Sequence, residues 1–424
     1  MKTVLIISPY FPPVNAADMQ RIRPAVHHLG SEGWSPVVLA VDPGATEMGT
    51  DPMLMKTVPS DLPVYHSGAF PTRWTRRIGL GAIALRSLLH LASLGSDLIL
   101  KFRPDVVFFS TTQFPVMILG RYWKWRFGVK VVLDFQDPWL YDELRPLPAS
   151  QRPPKYWFAH QINRLLEPPS VKAADGIVAV SEAYWQDLKR RYPSTKHTPC
   201  LTLPFAGFSK DLDVAAELPT QRSPDETRFI IRYIGRGGTD MHPAFTLILQ
   251  AIRLGMTEQP AVFNRIRFEV AGTSYAPAGK GIPSIEPVAR QLVPELDFVE
   301  TPDRLPYFTS LRYLLDADLI FIPGSDDPRY TASKIYPYLL TEKPVLAVFH
   351  TSSPAIPVLE TVLGEDCIRF GQEIPDDPSI RTIMQRLSGY LTGAITKSGT
   401  NRSRMEPWMS ETMTRQLAAF FNRI

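Results

Sequence analysis

The run Ser333-Lys-Ile-Tyr-Pro-Tyr-Leu339 sets a hydroxyl and an ammonium at the expected start of a short helix. Free backbone N–H groups, the positive end of the helix dipole and the Lys334 cation would converge there on an anionic ligand such as a phosphate. A lysine at a helix N-terminus opposes the dipole, so its placement calls for a reason other than helix stability. Tyr330, just upstream, offers a flat face for stacking. A second candidate is the loop Gly235-Arg-Gly-Gly-Thr-Asp240, where Arg236 presents a planar fork for phosphate oxygens. The helix expected from about Pro243 aims its N-terminus at that loop.

Asp137 follows an expected strand end. It either orients hydroxyls of a bound substrate or caps a helix before Pro138, and both readings stand. Asp18 reads more readily as a helix cap and first-turn anion than as a catalytic group, and capping explains Ser181 equally well.

These residues need elements to hold them. Short β-rich apolar runs alternate with helical patterns, the mark of repeated βα units and parallel sheets. The expected strands are Thr3–Ile7, Ser35–Val41, Val106–Ser110, Lys130–Phe135 and Gly176–Val180, then Phe229–Ile234, Ile266–Ala271, Leu319–Ile322 and Pro344–Phe349. Phe208–Arg228 is polar, carries Pro219 and Pro224, and reads as a linker. The fold class that follows is α/β, with two doubly wound Rossmann-like domains facing each other across a cleft. The boundaries predicted are 1–208, a linker 209–228, 229–400, and a C-terminal amphipathic helix within 401–424 that could pack on either domain. Neither domain's first strand is followed by the Gly-x-Gly-x-x-Gly turn of a dinucleotide-binding dehydrogenase.

Composition narrows the class. A chain of 424 residues, 44% hydrophobic and 21% charged, suits a globular protein of more than one core. Two cysteines, Cys200 and Cys367, are too few for a disulfide framework, so a reducing compartment is expected. The apolar run at the N-terminus is too short for a signal peptide, and the most apolar stretch, Ile78–Gly95, carries Arg86 and His90, so no transmembrane segment is expected. Basic residues exceed acidic ones by eight over residues 1–210, and acidic exceed basic by four over 211–424. In the basic half, Arg73-Trp-Thr-Arg-Arg77 leads into an apolar helix, and Tyr122-Trp-Lys-Trp-Arg126 interleaves aromatics with cations. Both suit an anionic membrane surface, although a core helix with a solvated basic end is the more common use of such a pattern.

Taken together the motifs resemble the GT-B fold glycosyltransferases of the family 4 type, over nearly the whole chain. Phe11-Pro-Pro-Val-Asn-Ala-Ala-Asp-Met-Gln-Arg21 resembles the family's Pro-Pro-x-x-Gly-Gly loop and its arginine. Asp134-Phe-Gln-Asp-Pro-Trp139, Ala174-Asp-Gly-Ile-Val-Ala-Val-Ser181, Leu203-Pro-Phe-Ala-Gly207, Gly235-Arg236 and Ser333–Leu339 resemble later motifs in the same order. The resemblance implies a nucleotide-sugar donor held by the second domain, a glycan or lipid-linked acceptor held by the first, and retention of configuration without a protein nucleophile. It implies Asp137, Arg236 and Lys334 as the catalytic set. Donor binding then falls to Asn15, Ala16, Ala17, Gly235, Gly237, Gly272, Thr273, Tyr330 and Ser333, and the acceptor side to Arg21, Gln136 and Ser181. No cofactor, essential metal or nucleic acid is expected. The setting implied is cell-surface polysaccharide assembly, either cytoplasmic or peripheral on the inner membrane face.

Three departures bear on activity. Pro337 stands where many members carry a ribose-binding Glu, Met241 takes the place of a second phosphate-binding Lys, and Ala16-Ala17 replace twin glycines; Arg329, Tyr330 and Thr331 could compensate. A GT-B-like protein that binds or assembles without turnover is the alternative. A sugar-nucleotide epimerase of the same fold is disfavoured by the lack of a matching acidic motif in the second domain.

Overall fold

A computed structural model describes residues 1–424 except 76–79, 141–155, 275, 277, 278, 328, 329, 331, 333, 372–376 and 396–401. Two compact units result: Met1–Ala206 joined by Trp408–Ile424, and Gly207–Pro407.

In the first unit, seven parallel strands run in the order β3-β2-β1-β4-β5-β6-β7: β1 Lys2–Ile7, β2 Trp34–Val41, β3 Val64–Ser67, β4 Val106–Ser110, β5 Lys130–Phe135, β6 Gly176–Ala179 and β7 Cys200–Thr202. Runs such as Val-Val-Phe-Phe in β4 are buried at every residue because helices cover both faces of a parallel sheet. Leu5, Ile7, Val107 and Leu133 pack on one face and Val4, Ile6, Phe108 and Val132 on the other. The C-terminal helix Ser410–Arg423 closes that second face, with Phe421 edge-on to Trp34 at 5.4 Å and to Phe108 at 5.1 Å between centroids. The choice between domains that the sequence left open for this helix thus falls to the first.

Six parallel strands make the second unit, in the order β10-β9-β8-β11-β12-β13: β8 Phe229–Ile234, β9 Ile266–Ala271, β10 Asp297–Thr301, β11 Leu319–Pro323, β12 Val345–His350 and β13 Cys367–Phe370. The segment expected to link the domains is instead folded onto this unit. It begins with a helix, Ser209–Ala216, whose Asp211 accepts from the Tyr307 hydroxyl at 2.7 Å, and farther along Arg222 pairs with Asp318 at 2.9 Å. The Asp316-Ala-Asp318 triplet is spent in this way: Asp316 accepts from Arg312 and from the Gln221 N–H, and Asp318 from Arg222 and the Ile230 N–H.

The expected strands all form. β3, β7, β10 and β13, four further strands at the outer positions of the sheets, were not foreseen. Strand order reverses between β1 and β4 and between β8 and β11. In open α/β sheets ligands bind beyond the carboxyl ends of strands at such reversals.

The basic stretch of the first unit divides differently from its expected pattern. Arg86 is buried and donates to the carbonyls of Gly81, Phe70 and Ala45 at 3.0, 2.8 and 2.9 Å, so it is a structural clamp and not part of a solvated basic end. Trp123 is fully buried and stacks on Phe109, whereas Trp125, two residues on, is 80% exposed. Residues Arg76, Arg77 and Ile78 lie outside the described residues. No described helix is long and apolar enough to cross a membrane.

Candidate functional site

Beyond the carboxyl end of β8 the chain turns through Gly235–Asp240 into the helix His242–Glu258, as its Pro243 in the first turn favours. Space dictates the glycines. A Cβ on Gly235 would lie 2.2 Å from the Tyr233 hydroxyl, and one on Gly237 would lie 2.6 Å from Ser284 Oγ and 2.8 Å from Thr273 Cβ. The Tyr233 hydroxyl donates to the Arg236 carbonyl at 2.9 Å, and the Gly237 N–H to the Thr273 carbonyl at 2.9 Å, which fixes the loop from both sides. Gly272 takes φ +70°, the left-handed region that glycine enters without strain, as the chain leaves β9. Thr273 in turn donates to Glu300 at 2.5 Å, and Glu300 also accepts the N–H groups of Ser284, Ile285 and Glu286 at 2.9, 2.9 and 2.6 Å. Thr273, expected at the donor, thus spends its hydroxyl as a brace under the loop.

Arg236 donates twice to Asp240, at 2.8 and 2.5 Å, and its guanidinium sits 4.8 Å from the centre of the Tyr330 ring. Burial works to lower its pKa, but Asp240 and Tyr330 outweigh it and the net shift is upward. Asp240 also accepts from Ser325 Oγ at 2.6 Å, just past β11, so Arg236, Asp240 and Ser325 span the strand-order reversal.

Lys334 stands directly before a helix of only five residues, Ile335–Leu339, as expected. That helix is moored to the same corner by Tyr338, which is buried and donates to the Ile234 carbonyl at the end of β8. Water reaches the Lys334 side chain, yet its pKa is pushed down to about 8 by burial first and then by Arg304 and Arg236. Arg304 escaped the sequence reading. It follows β10, a strand that reading did not foresee, and its Cα lies 4.0 Å from where a Cβ on Gly272 would sit. Ser333, with Arg329 and Thr331, lies outside the described residues, while Met241 is fully buried beneath the loop and presents nothing to a ligand. Pro337 is half-buried.

In the first unit the carboxyl ends of β1, β4 and β5 carry a buried polar cluster. Arg21, expected on the acceptor side, is buried and donates inward, to Asp134 at 2.6 Å and to the carbonyls of Leu203 and Pro204 at 2.6 and 3.2 Å. Gln136 is likewise interior, its amide donating to the Asp18 carbonyl, Ser110 Oγ and Asp134 at 3.2, 3.1 and 3.1 Å. Asp18 precedes the helix Met19–Ala25, but its side chain does not cap it. It is fully buried, accepts from Thr111 Oγ1 at 2.8 Å, and burial raises its pKa to about 7. Capping fails for Asp137 as well, because the chain runs on through bends at 136–140 and starts no helix at Pro138. Asp137 is exposed, with its pKa raised by burial of its surroundings. Ser181 holds the position before the helix Glu182–Arg191 without a side-chain bond to it. In the loop after β1, Asn15 donates its N–H to the Gly49 carbonyl at 2.9 Å, Ala16 is buried and Ala17 exposed. Among the described residues no group of three or more His, Cys, Asp or Glu side chains could hold a metal ion.

Two all-parallel sheets, each with polar residues gathered where its strand order reverses, define the fold class of the GT-B glycosyltransferases. Residues 20–200 match the family model described as a glycosyl transferase 4-like domain. The chain is similar over 100% of its length to three solved structures of that fold. These are sucrose-phosphate synthase from Thermosynechococcus elongatus (TM-score 0.59, 13% identity, 99% of that chain), HepE from Anabaena in complex with UDP-glucose (0.57, 14%, 100%), and a UDP-forming α,α-trehalose-phosphate synthase from Burkholderia xenovorans (0.60, 11%, 99%). No curated protein matches the chain by sequence.

Proposed function

We propose that this chain transfers a sugar from a nucleotide-sugar donor to a glycan or lipid-linked acceptor, with retention, in cell-surface polysaccharide assembly. The observation that carries the donor half is the clustering of Lys334, Arg304 and Arg236 at the carboxyl edge of the second sheet, close enough to depress the lysine. Lys334 and Arg304 gathered beside the Arg236 fork favour binding of a multiply charged anion, and a nucleoside diphosphate supplies it. HepE, of similar fold, was solved with UDP-glucose, which makes a UDP-sugar the first donor to test.

Breaking the sugar–phosphate bond builds charge on the leaving diphosphate. Preorganised cations stabilise that charge most where they need not move. Arg236, stacked on Tyr330, offers a fixed fork, and Lys334 a point charge. Asp137 would orient sugar or acceptor hydroxyls, since its exposed carboxylate can accept hydrogen bonds. In this reading no protein nucleophile and no metal take part.

The acceptor half rests on the basic first unit, whose exposed Trp74, Trp125 and Trp157 accompany cations such as Arg121 and Arg126. Aromatic rings with neighbouring cations suit a lipid-linked acceptor at an anionic, cytoplasmic membrane face, which the chain would visit peripherally.

The test is a thermal-shift panel of UDP-, GDP-, ADP- and TDP-sugars on wild type, Lys334→Ala and Arg236→Ala, followed by an assay for nucleoside diphosphate released with acceptor. One nucleotide class should stabilise wild type and neither variant. No shift with any nucleotide would overturn the donor reading. Tight binding without release would instead favour a binding or assembly subunit, a reading that the fully buried Met241, with no cation at its position, supports.

A further inference from the structure

Resting on that donor reading, we propose that Asp240 is a resident stand-in for the donor's phosphate: in the ligand-free chain its carboxylate fills the guanidinium fork of Arg236, and a diphosphate binds by exchanging with it.

The geometry is that of an anion already bound. Asp240 takes both outer nitrogens of Arg236, at 2.8 and 2.5 Å, the two-point contact by which guanidinium holds carboxylates and phosphates alike. Ser325 Oγ adds a third donor at 2.6 Å, so one carboxylate receives three donors from two loops that meet at the strand-order reversal. Both side chains of the ion pair remain 28% exposed, so an incoming anion can reach the fork.

Exchange requires only a side-chain movement. The backbone of Asp240 is held by the Asp326 N–H, which donates to its carbonyl at 2.8 Å, and Met241 beyond it is fully buried. The Arg236 guanidinium keeps its face against Tyr330, so the fork stays in place when the carboxylate swings out. With Asp240 in position the surrounding field is still positive, since Arg304 and Arg236 continue to depress Lys334. One carboxylate therefore leaves room for an anion of higher charge to win.

A competing role for Asp240 is to position Arg236 and remain there while the donor binds. The two roles differ in sign. A stand-in competes with the ligand, so Asp240→Asn, which keeps the shape but loses the charge, tightens binding; a positioning residue weakens binding when neutralised.

The experiment is titration calorimetry of the full chain with inorganic pyrophosphate and, separately, with UDP, on wild type, Asp240→Asn and Ser325→Ala. Asp240→Asn should bind pyrophosphate about tenfold more tightly, equivalent to about 1.4 kcal/mol. Ser325→Ala, which loosens the carboxylate and also gives up the Asp327 N–H bond to Ser325 Oγ at 3.0 Å, should show a smaller gain, and serves if the first variant folds poorly. In an Arg236→Ala background the gain from Asp240→Asn should vanish. Weaker or unchanged pyrophosphate binding in Asp240→Asn overturns the proposal. Tightened pyrophosphate binding with no UDP binding in any variant upholds the exchange and sinks the nucleotide-sugar reading, and no binding of either ligand to any variant sinks both.

Discussion

Arg21 donates from Nε to Oδ2 of Asp134 across 2.6 Å, and both side chains are closed to water. The same guanidinium donates to the Leu203 and Pro204 carbonyls, so one residue joins the helix Met19–Ala25, β5 and the segment after β7. Removing one partner of a buried ion pair strands the other's charge, and Arg21→Ala should cost about 3–5 kcal/mol of stability. Arg21→Lys should rescue little, because a single ammonium cannot reproduce a planar fork with three separate targets. Chemical denaturation measures both. An Arg21→Ala protein as stable as wild type would show that the residue works for a ligand and not for the fold.

Asp18 lies a few residues from that clamp and behaves oppositely, as a fully buried acid that accepts from the Thr111 hydroxyl. Burial raises its pKa from 3.8 to about 7, so the folded chain holds this proton more tightly than the unfolded chain does. The sign follows from linkage: the site costs nothing below about pH 4, and stability is lost as pH rises towards 7, where the folded form also ionises. Asp18→Asn removes the titration. It should match wild type near pH 4 and exceed it above pH 7, by roughly 4 kcal/mol at most on the conversion of one pKa unit to 1.36 kcal/mol. Comparing the two proteins' denaturation midpoints across this range isolates Asp18 from other titrating groups. A difference that does not change with pH would place its pKa in the ordinary range.

Physical reasons separate what the sequence revealed from what it hid. The inner strands were legible because a parallel sheet buries them on both sides, so Val-Val-Phe-Phe in β4 and Val-Leu-Ala-Val-Phe in β12 admit no other use. The outer strands were not, because Asp297-Phe-Val-Glu-Thr and Cys-Ile-Arg-Phe alternate polar with apolar residues over a handful of positions and resemble loops. Losing β10 from view hid Arg304, which only the strand's pairing with β9 brings to the Gly272 turn. The Gly235–Asp240 loop and Lys334 were legible because glycine spacing and a cation before a helix are local signals. Asp18, Arg21 and Gln136 were misplaced for the converse reason: their partners, Thr111, Asp134 and Ser110, lie about a hundred residues away or on another strand, and local reading sees a helix cap or a free cation.

Gly237 offers a prediction about the Gly235–Asp240 loop that is independent of charge. An alanine there would press its Cβ to 2.6 Å from Ser284 Oγ and 2.8 Å from Thr273 Cβ. Thr273 is held through its hydroxyl by Glu300, and Ser284 through its N–H at 2.9 Å and more weakly through Oγ at 3.4 Å by the same carboxylate. The loop must move instead, taking Arg236 with it. Gly237→Ala should therefore lower stability by about 1–3 kcal/mol, as overpacking does, and weaken nucleotide binding at least tenfold. Calorimetric titration of UDP alongside thermal unfolding separates the two effects. Full-strength binding in a destabilised variant would place the ligand away from this loop.

Lys334 connects the electrostatics of the site to an observable pH profile. Its pKa is lowered to about 8 by burial, Arg304 and Arg236, so above that pH the ligand-free site sheds a positive charge. Bound diphosphate favours the protonated amine, so binding must take up a proton in that range. Nucleotide phosphates are already fully ionised there, their second pKa lying near 6, and do not confuse the slope. UDP affinity should be flat from pH 7 to about 8 and then fall, approaching tenfold per pH unit. Lys334→Ala should bind more weakly at pH 7 and show no such fall. Calorimetry in two buffers of different ionisation enthalpy should register the proton uptake directly in wild type and not in the variant. A wild-type affinity that stays level to pH 9.5 would remove Lys334 from the phosphate site, and leave Arg236 and Arg304 as its cations.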